Sequence, residues 1–181
     1  MSAPSGSGKS TIISHLIKKE DLKLGFSISA TSRAPRGNEQ HGREYFFLSP
    51  EEFEQKKKSG AFVEWEEVYP GVNYGTLESE VSRITESGKN LIMDVDVKGA
   101  LNIKKRYGKD AISIFIMPPS LEVLEERLRG RGTDSIETIA KRLKKAEFEM
   151  SFSPRFDAVI VNGDLGEAVR KVDSEIRDFL K

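Results

Sequence analysis

Apolar residues along the chain fall into short continuous runs separated by stretches with helical spacing. Residues 26–30, 91–95, 111–117 and 158–161 are nearly unbroken in large and β-branched apolar side chains. This is the pattern of parallel strands covered on both faces. Between them the period changes. Ile12, Ile13, Leu16 and Ile17 recur at helical spacing, as do Ala100, Leu101 and Ile103 within 97–107, a segment that ends at Gly108. Ser120 stands as a cap before Leu121, Leu124 and Leu128. Ile136, Ile139, Leu143, Ala146 and Met150 form another stripe, and Leu165, Val169, Val172, Ile176 and Phe179 the last. Alternating strands and helices predict an α/β fold built on a parallel sheet.

Residues 32–87 break this rhythm. They hold most of the aromatic residues, and 44–48 alternates as a half-buried strand does. A helix is expected over 50–59, stopped by Gly60, with Lys56, Lys57 and Lys58 as its solvated end. The segment reads as an α+β lobe inserted into the parallel core.

Composition narrows the function classes. Across 181 residues, 29 basic and 29 acidic side chains cancel, so no global basic field favours nucleic acid or a membrane surface. The absence of cysteine excludes disulfides, thiolate metal sites and thiol catalysis. His15 and His41 are too few and too far apart for a histidine-rich metal site. No apolar run approaches the roughly 20 residues of a membrane span, and no signal peptide is visible. A cytoplasmic protein is the expectation.

The beginning of the chain carries the sharpest chemistry. Ala3, Pro4, Ser5, Gly6, Ser7, Gly8, Lys9, Ser10 and Thr11 end in the Gly-Lys-Ser of a phosphate-binding loop. Backbone N–H groups of such a loop wrap a phosphate, and the following helix adds its N-terminal dipole. Lys9 would neutralise the β- and γ-phosphates of a nucleoside triphosphate, and the Ser10 hydroxyl would ligate Mg²⁺. Ala3 stands where the full pattern has glycine, and a flexible Ser/Gly-rich terminus is the plainer alternative.

Four further groups follow. Arg33 and Arg36, with Pro35 stiffening the bend, can present two planar forks to one phosphate, and Tyr45 lies close by in sequence. A solvated basic turn is the competing reading. Glu64 and Thr76 lie in two nearby motifs, Phe62-Val63-Glu64 and Asn73-Tyr74-Gly75-Thr76. A carboxylate can accept from guanine N1–H and N2–H together, although a lone strand Glu is more often a surface acid. Asp94 and Asp96 close the 91–95 run, where a phosphate-loop enzyme keeps the carboxylate that orients Mg²⁺. Near 127–132, Arg127, Arg129 and Arg131 alternate beside Gly130 and Gly132, which suits a helix opening into a mobile basic loop.

The order of these motifs is Pro-Ser-Gly-x-Gly-Lys-Ser, Thr-x-Arg-x-Pro-Arg, Gly-x-x-Tyr-x-Phe, Phe-x-Glu, Asn-Tyr-Gly-Thr, Asp-x-Asp, Pro-Pro-Ser and Arg-x-Arg-Gly. It closely resembles the guanylate kinase family over essentially the whole chain. The resemblance implies a P-loop kinase core of parallel sheet and flanking helices, with an inserted GMP-binding lobe and a helical lid. The core would take 1–31, 88–125 and 148–181, the lobe 32–87 and the lid 126–147. The implied reaction is ATP + GMP giving ADP + GDP with Mg²⁺. Arg33, Arg36, Tyr45 and Tyr74 would hold the GMP phosphate. Glu64, Thr76 and Asp96 would face guanine, with Ser29 lining the same site. Arg127, Arg131 and Arg142 would serve the transferred phosphate or the adenine, and Asn162 the adenine. Ser10 and Asp94 would serve the metal. In the family a central strand precedes the loop. Only Met1 and Ser2 precede Ala3 here, so an extended version is expected to be more stable. A guanylate-kinase-like protein-binding module and a kinase of a phosphorylated sugar are the alternatives.

Overall fold

A computed structural model describes residues 1–130, 132 and 134–181. Arg131, expected among the phosphate-facing arginines, lies outside the described residues. In order along the chain come α1 (Lys9–Ile17), β1 (Leu24–Phe26), β2 (Ala30–Thr31), β3 (Phe46–Phe47), α2 (Pro50–Lys58), β4 (Phe62–Tyr69) and β5 (Val72–Leu77). There follow α3 (Glu78–Thr85), β6 (Asn90–Ile92), α4 (Val97–Tyr107), β7 (Ile114–Met117), α5 (Leu121–Gly130), α6 (Ile136–Met150), β8 (Ala158–Val161) and α7 (Leu165–Phe179). The chain divides into two compact units, Met1–Lys18 with Tyr107–Lys181, and Lys19–Arg106.

In the first unit β7 and β8 pair in parallel from Ile114↔Ala158 to Met117↔Val161. Ile114, Phe115 and Ile116 are fully buried, and Phe115 lies 5.2 Å from Phe156 between ring centroids. Ser2 also runs parallel to β7. Its N–H donates to the Ile114 carbonyl and its carbonyl accepts from the Ile116 N–H, both at 2.9 Å. Two expectations need correction. β7 begins at Ile114 rather than at 111, because the Ser113 N–H and hydroxyl donate to the Asp157 carboxylate, at 2.8 and 2.7 Å, rather than to a ladder partner. β8 is not covered on both faces, since Val159 and Val161 stand 41% and 52% exposed. The helical stripes bury their middles. Leu124, Leu128, Ile139 and Ala146 form one cluster between α5 and α6, while Ile136 in the first turn of α6 is exposed.

In the second unit β1 and β6 pair in parallel, Leu24↔Asn90 to Phe26↔Ile92. A second sheet runs in the order β3-β2-β5-β4. The continuous run read over 26–30 is therefore two strands in two sheets. The break has a cause: the Ile28 N–H donates to the Glu80 carboxylate at 2.9 Å instead of to a ladder partner. Glu80 is itself buried and gripped by Arg83. The 91–95 run is likewise a strand only to Ile92. β2 pairs antiparallel with β5 but parallel with β3. Parallel neighbours cannot be joined by a tight turn. Residues 32–45 consequently form a long connection, and it carries Arg33, Arg36 and Tyr45. Behind the sheet, Phe53 of α2 stacks on Phe62 at 4.5 Å within a cluster that includes Ala30 and Leu77. α2 starts as predicted, with Pro50 at its first turn and a reciprocal Ser49–Glu52 capping box. Its last turn is less solvated than expected, because the Lys57 ammonium lies 3.7 Å above the Trp65 ring.

Candidate active site

The phosphate loop belongs to the first unit. Gly6 and Gly8 adopt φ of +99° and +87°, which L side chains rarely tolerate. Both positions also lack room for a side chain. A Cβ on Gly8 would lie 2.4 Å from Asn162 Nδ2, and one on Gly6 2.9 Å from Leu124 Cδ1. Left-handed residues set among right-handed ones turn successive N–H groups to one side, which makes an anion nest. Gly8 caps α1 with no side-chain hydrogen bond, and the first turn of α1 contains no acidic residue. The positive end of the helix dipole is thus not neutralised from within. Lys9 opens the helix, with Ser10 and Thr11 exposed beside it.

Three side chains brace this loop. Asn162, at the end of β8, is 4% exposed and donates from Nδ2 to the Ser7 carbonyl at 2.7 Å. Its N–H donates to the Met117 carbonyl, which locks it beside β7. Arg127 of α5 donates from Nη2 to the Asn162 carbonyl at 2.9 Å. Arg142 of α6 donates from Nη1 to Ser5 Oγ at 2.7 Å and pairs with Asp134. Arg142 thereby reaches the loop itself, and Arg127 the residue that braces it. The Asn162 side chain, expected at an adenine, is engaged by the loop backbone.

The second unit gathers two groups along the β4–β5 hairpin. Glu64 pairs with Thr76 and Glu66 with Tyr74, so Thr76 and Tyr74 lie two residues apart on one face. At the Tyr74 end, Arg33 Nε donates to the tyrosine oxygen at 2.9 Å. The Tyr45 and Tyr74 rings meet edge-on at 5.7 Å, and the Arg33 guanidinium lies 5.0 Å above Tyr45 and 5.6 Å above Phe47. Burial pushes the Tyr45 phenol up. Arg36 is exposed on the same connection, and its N–H donates to Glu39.

At the Thr76 end, the Thr76 hydroxyl donates to Glu64 Oε1 at 2.7 Å. Glu64 is 8% exposed. Burial pushes its carboxyl up to about 7, opposed by the Thr76 hydrogen bond and reinforced by the charge of Asp96. Asp96 caps the start of α4, accepting from the Gly99 N–H at 2.7 Å. A Cβ on Gly99 would lie 2.6 Å from Glu64 Oε2 and 3.2 Å from Asp96 Oδ1, so the two carboxylates converge on a residue without a side chain. Ser29 is half-buried just before β2. Asp94 follows β6 half-buried, while Ser10 belongs to the other unit. Among the described residues no three or more His, Cys, Asp or Glu are grouped to hold a metal ion.

Sequence reasoning missed Glu39 and Gly99. Glu39 could have been suspected as a carboxylate three residues beyond Arg36. Gly99 had no local signal, because its constraint comes from Glu64, distant along the chain.

With this geometry in place, comparison with known proteins is decisive. The guanylate kinase family model matches residues 1–179. The guanylate kinase of Porphyromonas gingivalis is 56% identical over 180 residues, covering 99% of this chain and 96% of that protein. That of Bacteroides fragilis is 55% identical over 179 residues, covering 99% of this chain and 87% of its own length. Among solved structures, guanylate kinase from Anaplasma phagocytophilum aligns with a TM-score of 0.75 and 30% identity, over 98% of this chain and 82% of that one. The chain belongs to the guanylate kinase family, enzymes of the P-loop kinase fold that phosphorylate GMP to GDP with ATP.

Proposed function

We propose that the two ends of the β4–β5 hairpin read the two ends of GMP. Arg33, Arg36, Tyr45 and Tyr74 take its phosphate, and Glu64, Thr76 and Asp96 take guanine, with Ser29 beside them. The observation that carries this reading is the Glu64–Thr76 pair, a buried carboxylate with one oxygen satisfied internally and the other at the surface of Gly99. Guanine offers N1–H and N2–H side by side, whereas adenine presents an acceptor at N1. ATP phosphates bind the loop of residues 3–11 through the backbone N–H groups that follow Pro4, with Lys9 neutralising charge and Arg127 and Arg142 flanking. Asn162 serves this site by holding the loop, and its adenine contact then falls to its exposed surroundings near Gly163. Ser10 would hold a Mg²⁺ brought in with the nucleotide, and Asp94 is the carboxylate proposed to serve that ion; the metal would supply charge neutralisation at the phosphates.

The GMP phosphate is already an anion, so transfer needs no strong general base. In-line positioning and charge stabilisation supply the rate. Residues 32–87 act as the acceptor lobe and 126–147 as the lid, on a core formed by the rest. No helix among the described residues is long and apolar enough to cross a membrane. The substrates set the enzyme in the cytoplasm. A coupled assay with ATP and GMP, AMP, inosine monophosphate or ribose 5-phosphate tests the reading. GMP is expected to be preferred over AMP by about 10⁴, the discrimination typical of a site whose polar groups are left unpaired by the wrong ligand. Inosine monophosphate should fall between them. Preference for the sugar phosphate would overturn the base assignment.

A further inference from the structure

Arg33 has five N–H donors, and four are engaged within the second unit. Nε donates to Tyr74 Oη. Nη1 donates to the Ala34 carbonyl at 2.9 Å and to Glu39 Oε2 at 2.6 Å. Nη2 donates to Glu39 Oε1 at 2.8 Å. Glu39 thus grips the guanidinium with both oxygens and also accepts from the Arg36 N–H at 2.8 Å. That contact ties Glu39 to the backbone of the second arginine. The Arg33 side chain is 9% exposed and sits over two aromatic rings, a poor place for a charge without a partner.

One Nη2 N–H remains. Arg33 occupies one lone pair of the Tyr74 oxygen, so the hydroxyl acts there as an acceptor and keeps its hydrogen for another partner. We propose that Glu39 is a positioning residue of the acceptor site. It fixes Arg33 so that this N–H and the Tyr74 hydroxyl hydrogen donate together to the GMP phosphate. A long side chain otherwise loses rotamer freedom on binding each ligand. Glu39 removes that cost before the ligand arrives. The charge balance follows too. Glu39 cancels Arg33, so the net positive charge of the Arg33–Arg36 pair rests with Arg36. Consistent with this, the Arg33 fork and the Arg36 N–H hold the Glu39 carboxyl down to about 2, so it stays ionised throughout the working range.

The inference rests on GMP as the phosphate acceptor, and its test separates the two claims. KM for GMP and kcat are measured for the wild-type chain and for Glu39→Gln, Glu39→Ala and Glu39→Asp, with guanosine as a competitive inhibitor lacking the phosphate. Glu39→Gln and Glu39→Ala are expected to raise KM for GMP about tenfold, the size of one lost charge-assisted contact. The guanosine inhibition constant should stay unchanged and kcat should move far less than KM. Glu39→Asp, which keeps the charge, should recover part of the loss. A KM that falls would show Glu39 to be a competitor for Arg33, and an unchanged KM a bystander. Guanosine inhibition weakening in step with KM would reveal a general structural role. Each of these overturns the proposal. Should Glu39→Ala fail to fold, Glu39→Gln retains the side-chain shape and decides alone. Wild-type chain that does not phosphorylate GMP would instead refute the acceptor reading.

Discussion

In the base-reading role proposed for it, Glu64 would couple specificity to pH. Its carboxyl is raised mainly by burial, so the folded chain resists ionising it until about pH 7. Such a group favours folding most below the ordinary carboxylate range, and that contribution is lost as pH rises through about 7. Recognition has the opposite sign, because guanine requires the ionised acceptor. KM for GMP is therefore expected to rise as pH falls from 8 to 6, and binding near pH 7 should release a proton, seen as a buffer-dependent heat in calorimetry. Glu64→Gln should lose that part of the heat, narrow the gap between GMP and AMP, and melt higher than wild type at pH 8 but not at pH 5. A variant that keeps the full GMP preference would move base reading to Asp96. Glu64 was legible because Phe-x-Glu precedes Asn-Tyr-Gly-Thr along the chain. Gly99 was not, since a missing side chain announces nothing until the carboxylates that crowd it are located.

Among the elements, the phosphate loop with α1 makes the clearest case. Glycine at two left-handed positions, a helix without acidic first-turn residues and a lysine at its start form one anion site. Lys9→Ala should reduce kcat about 10²–10³-fold, the usual effect of losing one charge-stabilising group at a reacting centre. GMP affinity by calorimetry should barely change, because the acceptor residues belong to the other unit. Near-wild-type turnover would remove Lys9 from the chemistry. Helices were read closely from sequence: α4 spans the predicted 97–107, and α2 begins at its predicted proline. Strands were read too long. Apolar runs do not reveal that Ile28 gives its N–H to Glu80, nor that Ser113 gives its N–H to Asp157. Side chains distant in sequence made those decisions.

For the whole molecule, the proposed donor and acceptor residues segregate by unit. Residues 3–11, Arg127, Arg142 and Asn162 fall in one, and Arg33, Arg36, Tyr45, Glu64, Tyr74, Thr76 and Asp96 in the other. Hydrogen exchange should register this division. GMP alone is expected to slow exchange in 29–36, 62–76 and 96–99, and ADP alone in 3–12 and near Asn162. Protection by GMP spread evenly over both units would contradict the residue assignment. The family, the α/β class and the order of motifs were all readable in the chain, because each motif is local. The division into units was not, since it depends on which strands share a sheet.

The β4–β5 hairpin has a metric consequence. Tyr74 and Thr76 are separated by two residues of extended chain, roughly 6.8 Å. Gly75 between them seals the register, for a Cβ there would stand 2.8 Å from the Glu64 carbonyl oxygen. On the proposed assignment the strand is therefore a ruler with two marks, one for an anion and one for a base. A compound with the correct base and the correct charge, but the wrong span between them, can touch only one mark at a time.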